Sequence, residues 1–267
     1  MRRTPVTPGA RAVVAGLLAA LLVVTVGRAI AAVPVPASRP MYFEHLTMRD
    51  GLSQGTVMSM LQDSQGYLWL ATESGLDRYD GYTVREYRRQ RGNEHALAND
   101  YIWAIAEDTH GDLWLATDGG GVERWDPHSD EFQQYRHDPA NPGSLASDAT
   151  RALLIDADGR IWAGTQDRGV DVIDPKSGVA RHFGHLDGDA TTLSSDAVFS
   201  LYADHAGQIW VGTDAGLCRY DARADRFVTV GGSGPGTSLS DVHVRAIRED
   251  RSGVLWIGTA GGGLNRL

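Results

Sequence analysis

The segment Asp204-His-Ala-Gly-Gln-Ile-Trp-Val-Gly-Thr213 decides the fold, because close copies of it occur five times in the chain. All five fit the pattern D-x-x-G-x-[LI]-W-x-[GA]-T in the same register. The tryptophans are spaced by 45, 48, 48 and 46 residues: Trp69, Trp114, Trp162, Trp210 and Trp256. A turn aspartate precedes each of them: Asp63, Asp108, Asp156, Asp204 and Asp250. Repetition at this period indicates a repeat architecture.

Each repeat predicts four short antiparallel strands. Asp at the first position and Gly at the fourth favour a tight hairpin turn, because Asp accepts from backbone N–H groups and Gly tolerates positive φ. In the fourth repeat, residues 198–202 form a strand before this turn, and the Trp strand follows it. A glycine turn then leads to strands at residues 217–220 and 226–230. Four strands per repeat predict an all-β propeller with five blades present.

The same pattern predicts how neighbouring blades pack. The large Trp rings suit an interface between blades. A small residue follows each Trp by two positions and is expected to allow close approach of the blades: Ala71, Ala116, Gly164, Gly212 and Gly258. Residues 42–46 resemble the fourth strands. We expect that they can complete the last blade, which would remove an exposed sheet edge.

The start of the chain predicts export. Arg2, Arg3 and Arg11 precede an uncharged apolar run at residues 12–27, and residues 29–31 fit a small-x-small cleavage site. Residues 1–31 are therefore interpreted as a signal peptide or, alternatively, a membrane anchor. Residues 32–40 are assigned to a linker and residues 41–267 to the propeller. The expected location is the periplasm, with the parent protein anchored in the inner membrane.

Charge and cysteine content exclude several functions. The whole chain has a net charge of −9. Without the leader, which contains four arginines and no acidic residue, the chain has 21 basic and 34 acidic residues and a net charge of −13. This excess argues against nucleic acid as a partner. Cys218 is the only cysteine, so an intrachain disulfide is excluded. No metal site or cofactor is predicted, since no cluster of His, Asp and Glu has ligand spacing.

One column of the aligned repeats is a candidate binding site. Five residues before each turn Asp, on the first strand, stand Met58, Trp103, Arg151, Phe199 and Arg245. The adjacent columns are apolar or small, whereas this one mixes aromatic and cationic residues, which make strong contacts in binding pockets. If the first strand is innermost, the column lies near the mouth of the central channel. The alternative is irregular packing between blades. Cys218, on a third strand, is interpreted as a tolerated variable residue.

These repeats resemble the two-component regulator propeller repeat, whose pattern is roughly v-x-x-i-x-x-D-x-x-G-x-[LI]-W-[IVL]-G-T-x-x-G-L-x-R-[YF]. Residues 198–221 match it almost throughout, and the likeness covers residues 41–267. The resemblance implies a seven-bladed propeller followed by a small β-sandwich, a transmembrane helix and a cytoplasmic output domain. That output is a histidine kinase or a diguanylate cyclase. With five repeats present, the chain is expected to be part of a longer protein and of a seven-bladed propeller.

Three functions are compatible with these features. The first is an extracytoplasmic propeller of a transmembrane signalling protein, which senses a small molecule or an oligosaccharide and forms a homodimer through the parent protein. The second is a free periplasmic scaffold for protein interactions. The third is an exported enzyme acting on polysaccharides. Gly51-Leu-Ser-Gln-Gly55 has the letters G-x-S-x-G, but no helix is predicted after it, so it is not interpreted as a nucleophile elbow. No catalytic residue is therefore predicted, and the first function is favoured.

Overall fold

The computed structural model describes residues 42–231 and 239–267. Residues 45–267 form one compact unit, and Tyr42 to Glu44 belong to a second unit and have no helix or strand. The predicted leader and linker at residues 1–40 lie outside the described residues. No helix within the described ranges is long and apolar enough to cross a membrane.

The described chain is built from β-strands and one short 3-10 helix, Met48–Asp50. Blade 1 consists of β1 Val57–Gln62, β2 Leu68–Thr72, β3 Leu76–Tyr79 and β4 Val84–Tyr87. Blade 2 consists of β5 Ile102–Glu107, β6 Leu113–Thr117, β7 Gly121–Asp126 and β8 Glu131–Tyr135. Blade 3 consists of β9 Thr150–Ile155, β10 Ile161–Thr165, β11 Val170–Ile173 and β12 Ala180–Phe183. Blade 4 consists of β13 Val198–Ala203, β14 Ile209–Thr213, β15 Gly216–Asp221 and β16 Arg226–Gly231, and blade 5 of β17 Val244–Glu249, β18 Leu255–Thr259 and β19 Gly263–Arg266.

Within every blade, consecutive strands pair antiparallel, so the predicted propeller is confirmed. The first strands of the blades are innermost, because β1, β5, β9, β13 and β17 contact one another in chain order. No extensive contact joins β17 to β1 within the described residues. The five blades are therefore arranged successively about a common axis.

The strand expected at residues 42–46 is not formed. Residues 42–47 have no assigned strand, and the fifth sheet has three strands in the part of the chain that the structure describes. Tyr42 and Phe43 are 88% and 79% exposed. The segment buries no apolar face, and without such burial an edge strand has little to stabilise it.

A hydrogen bond between the turn aspartate and the tryptophan occurs in all five blades. Asp63 shows the arrangement: its Oδ1 accepts from the backbone N–H groups of Gln65 and Tyr67, and its Oδ2 accepts from the indole Nε1 of Trp69 at 2.7 Å. In the other blades the indole-to-carboxylate distances are 2.8–2.9 Å. One carboxylate thus closes the hairpin turn and fixes the ring that packs between blades.

The core consists of four apolar clusters, one at each blade interface. In the first, Trp69 lies 4.7 Å from Trp125 of the next blade, measured between ring centroids. In the third, Trp162 lies 4.9 Å from Tyr220 of the next blade in an edge-to-face contact. The first four repeat indoles are 0–7% exposed, whereas Trp256 is 37% exposed. The difference arises because each buried indole is covered by the following blade.

The small residues after the tryptophans permit this packing, as predicted. A Cβ placed on Gly164 would lie 2.5 Å from Cγ1 of Val198 in the next blade, and a Cβ on Gly212 would lie 2.5 Å from Cγ1 of Val244. Such distances are well inside van der Waals contact. At Gly258, whose outer side faces no further described blade, the nearest atom would be 3.6 Å away. Glycine at the first two positions is therefore required by the neighbouring blade.

Replacing the turn aspartate is expected to destabilise a buried blade more than an exposed one. Asp63→Ala leaves the buried Trp69 indole and two turn N–H groups without an acceptor, so we expect a loss of about 2–3 kcal/mol in the free energy of unfolding. Asp250→Ala is the matched control, since water can reach Trp256. Urea denaturation measures both, and equal losses would contradict the role assigned to the indole bond.

Candidate functional site

The five residues of the predicted binding column all lie at β-bulges. In each blade the pairing between the first and second strands skips one residue near the start of the first strand. The skipped residues are Met58, Trp103, Arg151, Phe199 and Arg245. A bulge residue is left out of the ladder, and its side chain is turned away from the regular alternation. We call these five residues the bulge column.

Four members of the bulge column contact one another in blade order. The guanidinium carbon of Arg151 lies 4.4 Å from the ring centroid of Trp103 and 4.8 Å from that of Phe199. The guanidinium carbon of Arg245 lies 3.5 Å from the same Phe199 ring. Blades 2 to 5 are thereby joined by alternating aromatic and cationic side chains. Met58, which has neither a ring nor a charge, adds no contact of this kind.

Polar side chains that the sequence analysis did not identify flank the bulge column. They occupy the position after the repeat threonine. Asp214 accepts from Nη2 of Arg245 at 3.3 Å, and Glu73 accepts from the hydroxyl of Tyr101 at 3.2 Å. The Tyr101 ring lies 4.8 Å from the Trp103 ring. The sequence could have identified these residues, because they directly follow the threonine that all five repeats share, at a position where the repeats differ in charge.

Arg151 is the least satisfied member of the column. Burial, and next the positive charge of Arg245, lower the pKa of its guanidinium, while Asp118 and Tyr101 act in the opposite direction. Its Nε is buried and has no hydrogen-bond partner among the described residues, and the same holds for Nε1 of Trp103. The bulge column is therefore suited to binding, since it offers ring faces, a cation and free donors. Within residues 42–231 and 239–267, no group of three His, Cys, Asp or Glu could hold a metal ion.

A large surface cavity lies elsewhere. It has a volume of about 720 Å³ and lies at the D-x-x-G turns of blades 2 and 3, lined among others by Asp108, Asp156, Asp158 and Lys176. Two of these carboxylates already accept hydrogen bonds from repeat indoles. The cavity is explained by the shape of adjacent turns, and the bulge column offers the more specific chemistry.

The side chains at one position of the third strands form hydrogen bonds to the loops that lead into the bulge column. The residues at this position are Asp77, Glu123, Asp171, Cys218 and Asn265, and each accepts from a backbone N–H of the loop before its own blade. The four oxygen acceptors lie 2.9 Å from the nitrogen, and the Cys218 sulfur lies 3.3 Å from it. The interpretation of this position as tolerated variation missed that role.

Glu123 shows how strongly this position is buried. Its side chain is fully inaccessible, and burial raises the pKa of the carboxyl group to about 8, although hydrogen bonds from the backbone of Ala98 and Asn99 act against the shift. Ala98 lies on the loop that continues into Tyr101 and Trp103. The carboxyl group therefore positions the aromatic end of the bulge column.

Five segments of the chain match the two component regulator propeller family: residues 51–74, 96–119, 144–167, 192–215 and 238–261. Each segment runs from the loop before a blade, through the first strand and the D-x-x-G turn, to the turn after the Trp strand. The chain belongs to this family. The family repeat thus contains both the indole–carboxylate pair and the bulge position of every blade.

The chain is also similar to three known proteins. Histidine kinase P4 of Formosa agariphila is 46% identical over 46 residues, which are 17% of this chain and 3% of that protein. The extracellular domain of the putative hybrid two component system BT4673 of B. thetaiotaomicron superposes with a TM-score of 0.68 at 22% identity, over 86% of this chain and 32% of that one. Virginiamycin B lyase of Staphylococcus aureus superposes with a TM-score of 0.57 at 14% identity, over 81% of this chain and 71% of that one. The two structural likenesses show the fold alone, and the chain spans about a third of the extracellular domain of BT4673.

The buried carboxyl of Glu123 is expected to make stability depend on pH. The folded state keeps its proton between pH 4.5, the ordinary value, and about pH 8, whereas the unfolded state loses it. The free energy of unfolding should therefore fall as pH rises through this interval. Glu123→Gln removes that dependence, because an amide accepts the same bond, as Asn265 does in blade 5.

Melting temperatures of the wild type and the variant, measured across the same pH interval, test this expectation. The exposed substitution Glu94→Gln is the control and should leave the profile unchanged. Parallel pH profiles for the wild type and Glu123→Gln would show that the carboxyl is ionised in the folded protein.

Proposed function

We propose that the chain is the extracytoplasmic ligand-sensing region of a bacterial transmembrane signalling protein. The observation that carries the proposal is the continuous stack of Trp103, Arg151, Phe199 and Arg245, which joins four blades at equivalent bulges. A common scaffold has no need for aromatic and cationic residues at these positions, because the strands pair without them. Side chains of these types are enriched where proteins bind with high affinity.

The family and its relatives support the signalling role. The chain is similar to extracellular domains of putative hybrid two component systems, and one short segment is similar to a protein named as a histidine kinase. The output domain of the parent protein is proposed to be a histidine kinase or a diguanylate cyclase. The residues present here bind rather than catalyse, and the parent protein forms a homodimer.

A ligand on the bulge column would act by joining blades. Each of its contacts would come from a different first strand, and these strands are adjacent about the axis. A ligand shifts a conformational equilibrium only by its difference in affinity for the two states. Contacts spread over several blades provide such a difference, because any change in the angle between blades alters them together. The proposed ligand is a small molecule or an oligosaccharide.

The proposed location can be tested with reporter fusions. Alkaline phosphatase, which is active only outside the cytoplasm, is joined after residue 267 in one strain, and the leader at residues 1–31 is deleted in a second. We expect activity with the first fusion and its loss with the second, because the charged start and apolar run direct export. Activity of a cytoplasmic reporter at the same position would contradict export.

The proposed site can be tested by screening saccharides and small metabolites for an increase in melting temperature. A ligand that binds only the native state stabilises it by mass action. For any ligand found, Phe199→Leu should weaken binding by about threefold to thirtyfold, since it removes the ring that both guanidinium groups contact. Tyr82→Leu is the matched control, because Tyr82 is 94% exposed and far from the bulges in sequence.

Unchanged affinity in Phe199→Leu would place the ligand elsewhere on the propeller. Thermal unfolding of each variant without ligand shows whether the substitution has altered the fold. If no compound raises the melting temperature and the reporter shows a cytoplasmic location, the proposed sensing role is wrong.

A further inference from the structure

Arg151 has a positive charge without a partner in the described chain. Its Nε–H is buried and donates to no described acceptor, and the guanidinium forms no ion pair with the described residues. Arg245, at the next bulge but one, pairs with Asp214 at 3.3 Å. A buried donor without an acceptor is costly, and more so when it is charged. Such a group is kept where something else supplies the acceptor.

A second free donor lies beside it. Nε1 of Trp103 is buried without a partner among the described residues, and the Trp103 ring is stacked on the Arg151 guanidinium. A third unpartnered atom, Oγ of Ser200, packs against Gly212 inside blade 4 and is not part of this pair. The structure thus places two hydrogen-bond donors from adjacent blades together, and neither is matched by a described acceptor.

The nearby carboxylates do not neutralise this charge. Asp118 influences Arg151 electrostatically, but it forms no ion pair with it, and its Oδ1 accepts from Nε2 of Gln166 at 2.9 Å. Both Arg151 and Arg245 contact the Phe199 ring, so two like charges are held close together. An added anion would relieve this repulsion as well as fill the free hydrogen-bonding positions.

We infer that the ligand presents a carboxylate to Arg151, as an acidic sugar of an oligosaccharide or a small organic acid does. This inference rests on the proposed function, because it assigns a ligand class to the bulge column. The planar guanidinium matches the two oxygens of a carboxylate, and the Trp103 indole donates to the same group or to a neighbouring oxygen. Because the chain is negatively charged overall, it repels acidic ligands in general. An acidic ligand is therefore bound only where its carboxylate contacts the localised cation of Arg151.

Titration calorimetry and thermal shift on the whole chain test the inference with four probes. They are a galacturonic acid disaccharide, the matching neutral galactose disaccharide, succinate and inorganic sulfate. We expect at least one carboxylate probe to bind and the neutral disaccharide to bind more weakly. Binding should weaken with added salt, because salt screens the charge interaction. The relative affinities of the sugar acid and succinate identify the source of the carboxylate.

Three variants locate the binding. Arg151→Gln should reduce carboxylate affinity by about tenfold to a hundredfold, and Arg151→Lys should keep part of it. Trp103→Phe removes only the indole donor and should reduce affinity by about twofold to tenfold. Arg223→Gln is the matched control: it removes the same charge from an exposed turn, and we expect no change.

Two outcomes would overturn the inference. Equal binding of the neutral disaccharide, unaffected by Arg151→Gln, would show that the carboxylate is not recognised, while the proposed sensing function would stand. No binding of either carboxylate or of sulfate at millimolar concentration would show that Arg151 does not bind oxyanions. Failure of the proposed function is seen separately, as a flat ligand screen and a cytoplasmic reporter.

Discussion

The fold depends on a hydrogen bond between an indole and a carboxylate that is repeated in every blade. One oxygen of the turn aspartate accepts from the backbone of the hairpin, and the other accepts from the tryptophan on the following strand. The bond holds the ring in a fixed orientation, so that it packs against apolar residues of the next blade. Because the geometry is the same in each copy, the blades stack at regular intervals.

A few positions of this regular scaffold are not constrained by packing or hydrogen bonding. The turn aspartate, the tryptophan, the small residue after it and the threonine are fixed by packing or hydrogen bonding. The residue at the bulge pairs with nothing on the second strand. The five copies also differ in chemistry at this position, from methionine to arginine. Specific contacts are therefore concentrated where they disturb the sheet least.

Much of this organisation could be predicted from the sequence. The spacing of the tryptophans and the D-x-x-G turns predicted the blades and the order of the strands, because both depend on local chemistry repeated in register. The bulge column was found by aligning the copies. The indole bond was not predicted, although the six-residue separation of Asp63 and Trp69 recurs in every copy, since it depends on how turn and strand face each other.

Other features could not be read from the sequence for physical reasons. The third-strand acceptors differ in type, as Glu123 and Cys218 show, and the sequence does not show where the backbone N–H groups that they bind point. The strand expected at residues 42–46 failed because strand propensity alone does not create a buried face. The contacts between Arg151 and the two rings depend on the distance between blades, which a single repeat does not specify.

The bulges have a consequence for how such a protein changes over generations. Mutation of a residue outside the ladder removes no backbone pairing, so successive replacements can be tolerated without loss of the folded state. Each duplicated copy then becomes an independent place for variation, and a new recognition surface can arise by altering five codons. Selection can therefore change the binding specificity at the bulges while it maintains the propeller at other positions.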